Sequence, residues 1–147
     1  MPDLAAFAAL VPLDHGLVVV STSRADGSVQ SSVVNAGVIG HPSSGQPVVG
    51  LVSAGSSLRL RNLRARPRAT IVIRAGWQWA GVEGPVQLIG PDDPFEGVDD
   101  ERRRLLLREI FVAAGGTHED WDEYDRTMRD ERRVAVLLIP ERTFGPA

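Results

Sequence analysis

The chain of 147 residues contains no cysteine, and all 16 of its cationic residues are arginine. The absence of cysteine excludes disulfides, zinc sites with thiolate ligands and thiol nucleophiles. It is also compatible with a reducing compartment, so we expect a cytoplasmic protein.

Long hydrophobic runs and an excess of positive charge are also missing. No apolar run approaches the roughly 20 residues that a membrane helix needs. The apolar start of the chain is interrupted by Pro12 and Asp14 and follows no basic region, so no signal peptide is predicted. The net charge of −3 does not favour nucleic-acid binding. We expect neither a membrane nor a nucleic acid as partner.

Short runs of β-branched and other apolar residues recur between turn sequences. They predict about six strands, in the segments GLVVVSTSR, VQSSVVNAGVIG, VVGLVSAG, ATIVIRA, GWQWAGVEGPVQLIG and RRVAVLLIP. The turn ADGS is typical of a hairpin, and hairpin-linked strands form antiparallel sheets. A small antiparallel sheet avoids exposed edges by closing into a barrel. We predict one domain over residues 1–147, mainly β with short inserted helices.

Glycines and helix signals refine this outline. Gly81 and Gly84, inside the longest strand, indicate a bulge or a close approach of another backbone. Helices are predicted after Asp3, over the arginine-rich segment, before Gly115, and after Thr117, which can cap the last of them.

The arginine-rich segment SLRLRNLRARPRA, residues 57–69, carries five arginines in ten positions. Helical periodicity directs Leu60 and Leu63 toward a core. The same periodicity leaves Arg61, Arg64 and Arg68 as an ordinary solvated face, the usual meaning of a charged run.

A second side of this helix carries Arg59, Asn62 and Arg66, which are spaced by three and four residues. It follows a turn of small residues, SAGSS, that ends a strand. A helix N-terminus presents free N–H groups and positive dipole charge to an anion. Ser56 and Ser57 can cap the helix or donate to a phosphate, and Arg59 can bind the same anion. This pattern predicts a phosphate-bearing ligand, although no P-loop motif is present.

Other candidate sites receive less support. His118, Glu119 and Asp120 match no spacing of a metal-binding motif, and acids at a helix start are explained by the helix dipole. No GxSxG sequence is present, which disfavours a serine hydrolase. Trp77 and Trp79 alternate along a strand, and packing in a core or a dimer interface explains them as well as a ligand does.

The chain resembles the split β-barrel oxidoreductases of the pyridoxamine 5′-phosphate oxidase superfamily. The segments that carry the resemblance are DGSVQSSVVNAG, LRLRNLRARPRATIVI, GWQWAGVEGPVQLIG and GGTHEDWDEYDRTMRDERRVAVLLIPERTFG. The last of these is similar to the branch that uses the deazaflavin coenzyme F-420. The resemblance implies a six-stranded antiparallel split barrel that forms a homodimer, with the cofactor in a groove at the interface.

The resemblance also implies site residues. Arg59 is the basic residue placed to contact the cofactor phosphate, whereas the upstream region holds Ser56 and Ser57 where relatives have another cation. The cofactor ring lies along the second and third strands, and Trp77 and Trp79 contribute to the groove from the other subunit. The full implied set is Ser32, Asn35, Val52, Ser53, Ser56, Ser57, Arg59, Asn62, Trp77 and Trp79.

The resulting expectation is a deazaflavin-dependent reductase that transfers hydride to a small conjugated or heteroaromatic acceptor. The cofactor performs the bond chemistry in such proteins, which agrees with a sequence that shows no acid–base pair. An FMN-binding oxidoreductase of the same fold and a cofactor-binding protein without turnover remain open alternatives.

Overall fold

In the computed structural model of the chain, which describes residues 2–146, antiparallel strands close into a barrel. The strands are β1 (Leu17–Ser23), β2 (Val29–Gly40), β3 (Pro47–Ser53), β4 (Arg68–Ala75), β5 (Gln78–Ile89), β6 (Val134–Leu138) and β7 (Arg142–Phe144). Six of them pair in the order β4-β1-β2-β3-β6-β5, and pairing of β4 with β5 closes the ring. The prediction of a six-stranded antiparallel barrel is therefore confirmed.

The seventh strand is an addition that the sequence did not reveal. β7 has three residues and pairs with β5 opposite residues 81–83. Segments this short carry no alternation, so only the pairing with β5 defines the strand.

Residues 2–146 also form four α-helices, of which the first precedes β1 and the others lie between strands: α1 (Ala5–Leu10), α2 (Leu58–Ala65), α3 (Asp100–Ala113) and α4 (Trp121–Asp130). Gly115 follows α3 with a φ of 94°, as predicted for a C-terminal glycine. The predicted cap of α4 is wrong, because the side chain of Asp120, not Thr117, accepts the N–H of Glu123 at 3.1 Å. No helix among the described residues is long and apolar enough to cross a bilayer.

Two hydrophobic clusters hold the molecule together. One fills the barrel and includes Leu60 and Leu63 of α2, both fully buried. The other lies between the outside of the barrel and helices α3 and α4, and it includes Leu106, Ile110 and Tyr124. The first cluster anchors α2 across one end of the barrel, and this fixes the position of the candidate site.

Gly84 marks a close approach of another backbone, as predicted, whereas Gly81 is approached by an aromatic side chain. A Cβ added to Gly84 would lie 2.0 Å from the carbonyl oxygen of Ile139, and one added to Gly81 would lie 2.2 Å from the ring of Phe144. At Gly84, only glycine allows the backbone after β6 to cross β5 at this distance.

Candidate cofactor-binding site

The turn between β3 and α2 ends in a capping serine. Ser57 has extended backbone angles, and its Oγ accepts a hydrogen bond from the N–H of Leu60 at 3.2 Å. This confirms Ser57 as the cap of the arginine-rich helix. Ser56, next to it, is exposed.

Arg59 turns back from the first turn of α2 into a group of hydroxyls. Its Nη1 donates to Ser53 Oγ at 2.7 Å, and its Nη2 donates to Ser32 Oγ at 2.7 Å. Ser53 Oγ lies 3.0 Å from Ser57 Oγ. Four predicted residues from β2, β3 and α2 thus form one contiguous network, which we call the serine cluster: Ser32, Ser53, Ser57 and Arg59.

The charge of Arg59 has no counterion in this network. No carboxylate within residues 2–146 forms an ion pair with it, and its Nε is buried without a hydrogen-bond partner. Burial, and secondarily the charge of Arg133, lowers the pKa of Arg59 below its ordinary value. Hydroxyl groups are neutral acceptors, so the cluster retains a net positive charge and an unused donor. These properties fit the phosphate of a cofactor.

The other two residues on this side of α2 fasten the helix to the barrel. Asn62 is 3% exposed, and its Nδ2 donates to Thr22 Oγ1 at 3.1 Å and to Gln30 Oε1 at 3.3 Å. Arg66 Nε donates to the carbonyl of Ser23 at 2.8 Å. The predicted common side of the helix is confirmed. The structure gives Asn62 a positioning contact, and its cofactor contact stays a prediction.

The outward arginines of the segment behave as a solvated face. Arg61 is exposed. Arg64 pairs with Asp93 at 2.7 Å, and Arg68 pairs with Glu141 at 2.8 Å. The five arginines therefore separate into two groups. Arg61, Arg64 and Arg68 face outward, two of them in ion pairs, while Arg59 and Arg66 turn toward the barrel.

Two predicted ring contacts face away from the serine cluster. Asn35 lies three residues from Ser32 on β2, so the pleat directs it to the opposite face, where its Nδ2 donates to the carbonyl of His15 at 2.7 Å. Val52 packs against the hydrophobic cluster between the barrel and helices α3 and α4, whereas its neighbour Ser53 faces Arg59. Within one chain, the structure does not place Asn35 or Val52 beside the serine cluster, and their contact with a cofactor ring stays a prediction.

The two tryptophans lie on the β4–β5 hairpin, which contributes no residue to the serine cluster. Trp77, at the hairpin tip, is 98% exposed. Trp79 is half-buried, with its ring edge-on to Phe144 at a centroid distance of 6.1 Å.

His118 belongs to an aromatic group with Phe111, Trp121 and Tyr124. Its Nδ1 accepts the N–H of Asp120 at 3.0 Å. Over residues 2–146, no group of three potential metal ligands is assembled.

Solved structures share this architecture, although no family model matches the chain. A pyridoxamine 5′-phosphate oxidase-related, FMN-binding protein from Nostoc punctiforme superposes with a TM-score of 0.66 at 14% identity, over 97% of this chain and 84% of that chain. An F420 reductase superposes with a TM-score of 0.63 at 15% identity, over 98% of both chains. The fold is the split β-barrel of the pyridoxamine 5′-phosphate oxidase-like proteins. The resemblance predicted from sequence is confirmed at this level.

The split barrel alone does not select a ligand. A haem-binding protein from Mycobacterium smegmatis also superposes, with a TM-score of 0.60 at 18% identity, over 99% of this chain and 55% of that chain. Residues in the site, and not the fold, must distinguish between such ligands.

Proposed function

We propose that this split barrel is an oxidoreductase that binds the deazaflavin coenzyme F-420 and reduces a small conjugated or heteroaromatic acceptor. The observation that carries the proposal is the desolvated, unpaired Arg59 held by serines at the start of α2. A cofactor phosphate supplies the missing negative charge and an acceptor for the free donor. The likeness to an F420 reductase supports the choice of coenzyme.

In this proposal each part of the serine cluster has a separate task. Arg59 and the hydroxyl of Ser57 bind the phosphate, while the first N–H groups of α2 add their dipole. Ser32 and Ser53 hold the guanidinium in place, so little reorganisation is needed when the ligand arrives. The coenzyme, when bound, supplies the hydride. The protein orients the reactants and excludes water.

We propose that a second copy of the chain completes the groove. The outer face of β1, β2 and β4 carries a patch of valines, in which Val19 pairs with Val33 on one side and with Val72 on the other. Val19 is 42% exposed and Val33 is 64% exposed. Asn35 lies on the same outer side of β2, so a copy docked here covers Asn35. It also brings Trp77 of the hairpin tip to the groove and buries a side chain that is otherwise in water.

Titration of the purified protein with F-420 and with FMN, followed by fluorescence and visible absorption, tests the proposal. We expect tighter binding of F-420. Arg59→Ala removes a charge-assisted contact worth about 1.5–3 kcal/mol, which corresponds to roughly 10- to 100-fold weaker binding. Arg68→Ala is the matched control, because its exposed ion pair with Glu141 contributes little. Equal dissociation constants for the two variants would contradict the phosphate assignment.

FMN is the second candidate, favoured by the likeness to an FMN-binding protein. Tighter binding of FMN in the same titration would select it.

A third outcome follows from the composition of the serine cluster, which contains no carboxylate or histidine as a proton donor. Tight cofactor binding without reduction of any acceptor across a broad panel would identify a carrier.

A further inference from the structure

A groove between α3, α4 and the turn from α4 to β6 encloses a cavity of about 430 Å³. Its walls come from the two helices and from Arg132 and Arg133 of the turn, whereas the serine cluster is built on β2, β3 and α2. The cavity volume lies within the range of about 300–1,000 Å³ that is typical of small-molecule sites. The groove is therefore a candidate binding site that is separate from the serine cluster.

The inner part of the groove is an apolar floor formed by Leu107, Met128 and Pro91. Leu107 of α3 is buried, and Met128 of α4 is half-buried against the same hydrophobic cluster. Methionine is flexible and adapts to ligands of different shape. This floor fits the apolar body of an organic ligand better than it fits a bare ion.

Three arginines at the edge of the floor pair with exposed carboxylates. The pairs are Arg103 with Asp100 at 3.2 Å, Arg132 with Asp92 at 2.6 Å and Arg133 with Glu131 at 2.6 Å. The carboxylate side chains of these pairs are 94%, 64% and 46% exposed, respectively. Exposed ion pairs contribute little to stability, so a ligand carboxylate can replace such a partner at small cost.

Two other carboxylates that line the groove are already bound to α3. Glu101 accepts a hydrogen bond from Nε of Arg104 at 3.0 Å, and Asp125 accepts one from Nη1 of Arg104 at 2.8 Å. Arg108 also donates to Asp125. The charges of these two acids are therefore compensated by α3, and the arginines of the turn stay available to a ligand.

Arg132 occupies a backbone position that favours glycine. At the end of α4, the N–H of Arg132 donates to the carbonyl of Arg129 at 3.1 Å, and the N–H of Arg133 donates to the carbonyl of Met128 at 2.9 Å. This is the Schellman motif, whose left-handed residue is usually glycine, and here Arg132 has a φ of 50°. Strained residues of this kind cluster at ligand-binding sites, so the side chain of Arg132 is itself a sign of a ligand.

We infer that this groove binds a small amphipathic carboxylate, with its head group on Arg132 and Arg133 and its apolar body on the floor of the groove. Guanidinium groups bind carboxylates in bidentate geometry. A carboxylate is favoured over other anions because it replaces Asp92 and Glu131 with the same chemical group. The inference goes beyond the proposed function and does not depend on it, since the groove shares no residue with the serine cluster.

Octanoate is the probe, and acetate and 1-octanol present its head group and its apolar body separately. Calorimetric titration measures their binding to the wild type, Arg132→Gly, Arg133→Gln and Arg74→Gln. Arg74 is the matched control, because it is exposed on β4 and donates to the carbonyl of Gly76, outside the groove.

We expect octanoate to bind the wild type and Arg74→Gln equally, and to bind the two groove variants about tenfold more weakly, the effect of one charge-assisted contact. Acetate and 1-octanol should each bind the wild type more weakly than octanoate does. Acetate binding as tight as that of octanoate would exclude the role of the apolar floor and overturn the inference.

Arg132→Gly separates binding from folding. Glycine relieves the positive φ, and the ion pair that is lost with Asp92 is exposed, so this variant should unfold at a temperature no lower than the wild type. Weaker octanoate binding by this variant then reports a lost contact and not a damaged fold. An arginine with a purely structural role would leave octanoate binding unchanged.

Absence of octanoate binding to the wild type, or equal dissociation constants for all four proteins, would overturn the inference. If octanoate binding requires Arg132 and Arg133 but neither F-420 nor FMN binds, the proposed function fails and the inference stands. If a cofactor binds through Arg59 and octanoate does not bind, the inference alone fails.

Discussion

Arg59 lies in a different environment from the other arginines of its charged segment. Its sequence neighbours Arg61, Arg64 and Arg68 face outward, where an arginine costs little. Arg59 instead donates hydrogen bonds from its Nη atoms to serine hydroxyls and forms no ion pair with a carboxylate of the described residues. A half-buried cation without a counterion is costly for the free protein, which is the physical reason for proposing that an anion binds there.

Tyr124 permits a test at the same scale. It is the single tyrosine in a chain without cysteine or lysine, and its hydroxyl donates to the carbonyl of Leu107 at 3.0 Å. Burial raises the pKa of Tyr124 to about 12. Because the folded pKa lies above the unfolded value of about 10, the stabilisation is complete below pH 10 and is lost as the pH rises to 12.

We therefore expect the free energy of unfolding to fall by up to about 1.4 kcal/mol per pH unit in that window. Urea unfolding of the wild type and Tyr124→Phe between pH 8 and 12 measures the effect. The variant should be less stable at pH 8, by about 1 kcal/mol for the lost hydrogen bond, and nearly independent of pH. A steep alkaline slope that persists in Tyr124→Phe would refute the assignment.

At the scale of elements, α3 and α4 are joined by a charged clamp above their apolar contact. Asp125 of α4 accepts from Arg104 at 2.8 Å and from Nε of Arg108 at 2.9 Å. The carboxylate side chain is only 16% exposed. Hydrogen bonding from Arg108 is the main cause that lowers the pKa of Asp125. The clamp fixes α4 against α3.

Asp125→Asn should destabilise the protein by about 1–3 kcal/mol near pH 7, because two arginines lose their shared carboxylate. The folded pKa is lowered, so the stabilisation is present above the unfolded value of about 4 and is lost as the pH falls through the folded value. The difference between wild type and variant should shrink below pH 4 in urea unfolding. Asp130→Asn, at an exposed position on the same helix, should change little at any pH.

At the scale of the whole molecule, the patch formed by Val19, Val33 and Val72 on the outer sheet face is the proposed dimer interface. We expect a homodimer, and we expect Val33→Arg to produce monomers, since a charge at the centre of a buried face is costly. Light scattering measures both. Val112→Arg is the control, because Val112 is 54% exposed on α3, outside this face. A monomeric wild type, or an equal response of the two variants, would exclude the interface.

Local pattern was sufficient for much of the fold. The β-branched run over Val29–Gly40 forms a single strand of the predicted extent, and Leu60 and Leu63 are buried as helical periodicity requires. These features depend on residues close in sequence, whose spacing alone selects a face of a strand or helix. Closure of the barrel could also be predicted from the sequence, because a small antiparallel sheet of hairpin-linked strands has few other ways to cover its edge strands.

The candidate site was only partly predictable. Ser53, Ser57 and Arg59 are near neighbours in sequence, and the pattern brought them together correctly. Asn35 was expected near the cofactor ring, and this stays a prediction. The pleat of β2 places it on the face opposite Ser32, where its side chain donates to the carbonyl of His15.

The sequence by itself determined the strands, the faces of the arginine-rich helix and its capping serine, since each depends on chemistry within a few residues. Only the tertiary structure decided that Arg59 finds no carboxylate within residues 2–146, and that valines from three strands meet on the outer face of the sheet. Those relations arise where segments distant in sequence meet in the fold. Strand register and helix packing bring the segments together, and neither can be predicted from residues close in sequence.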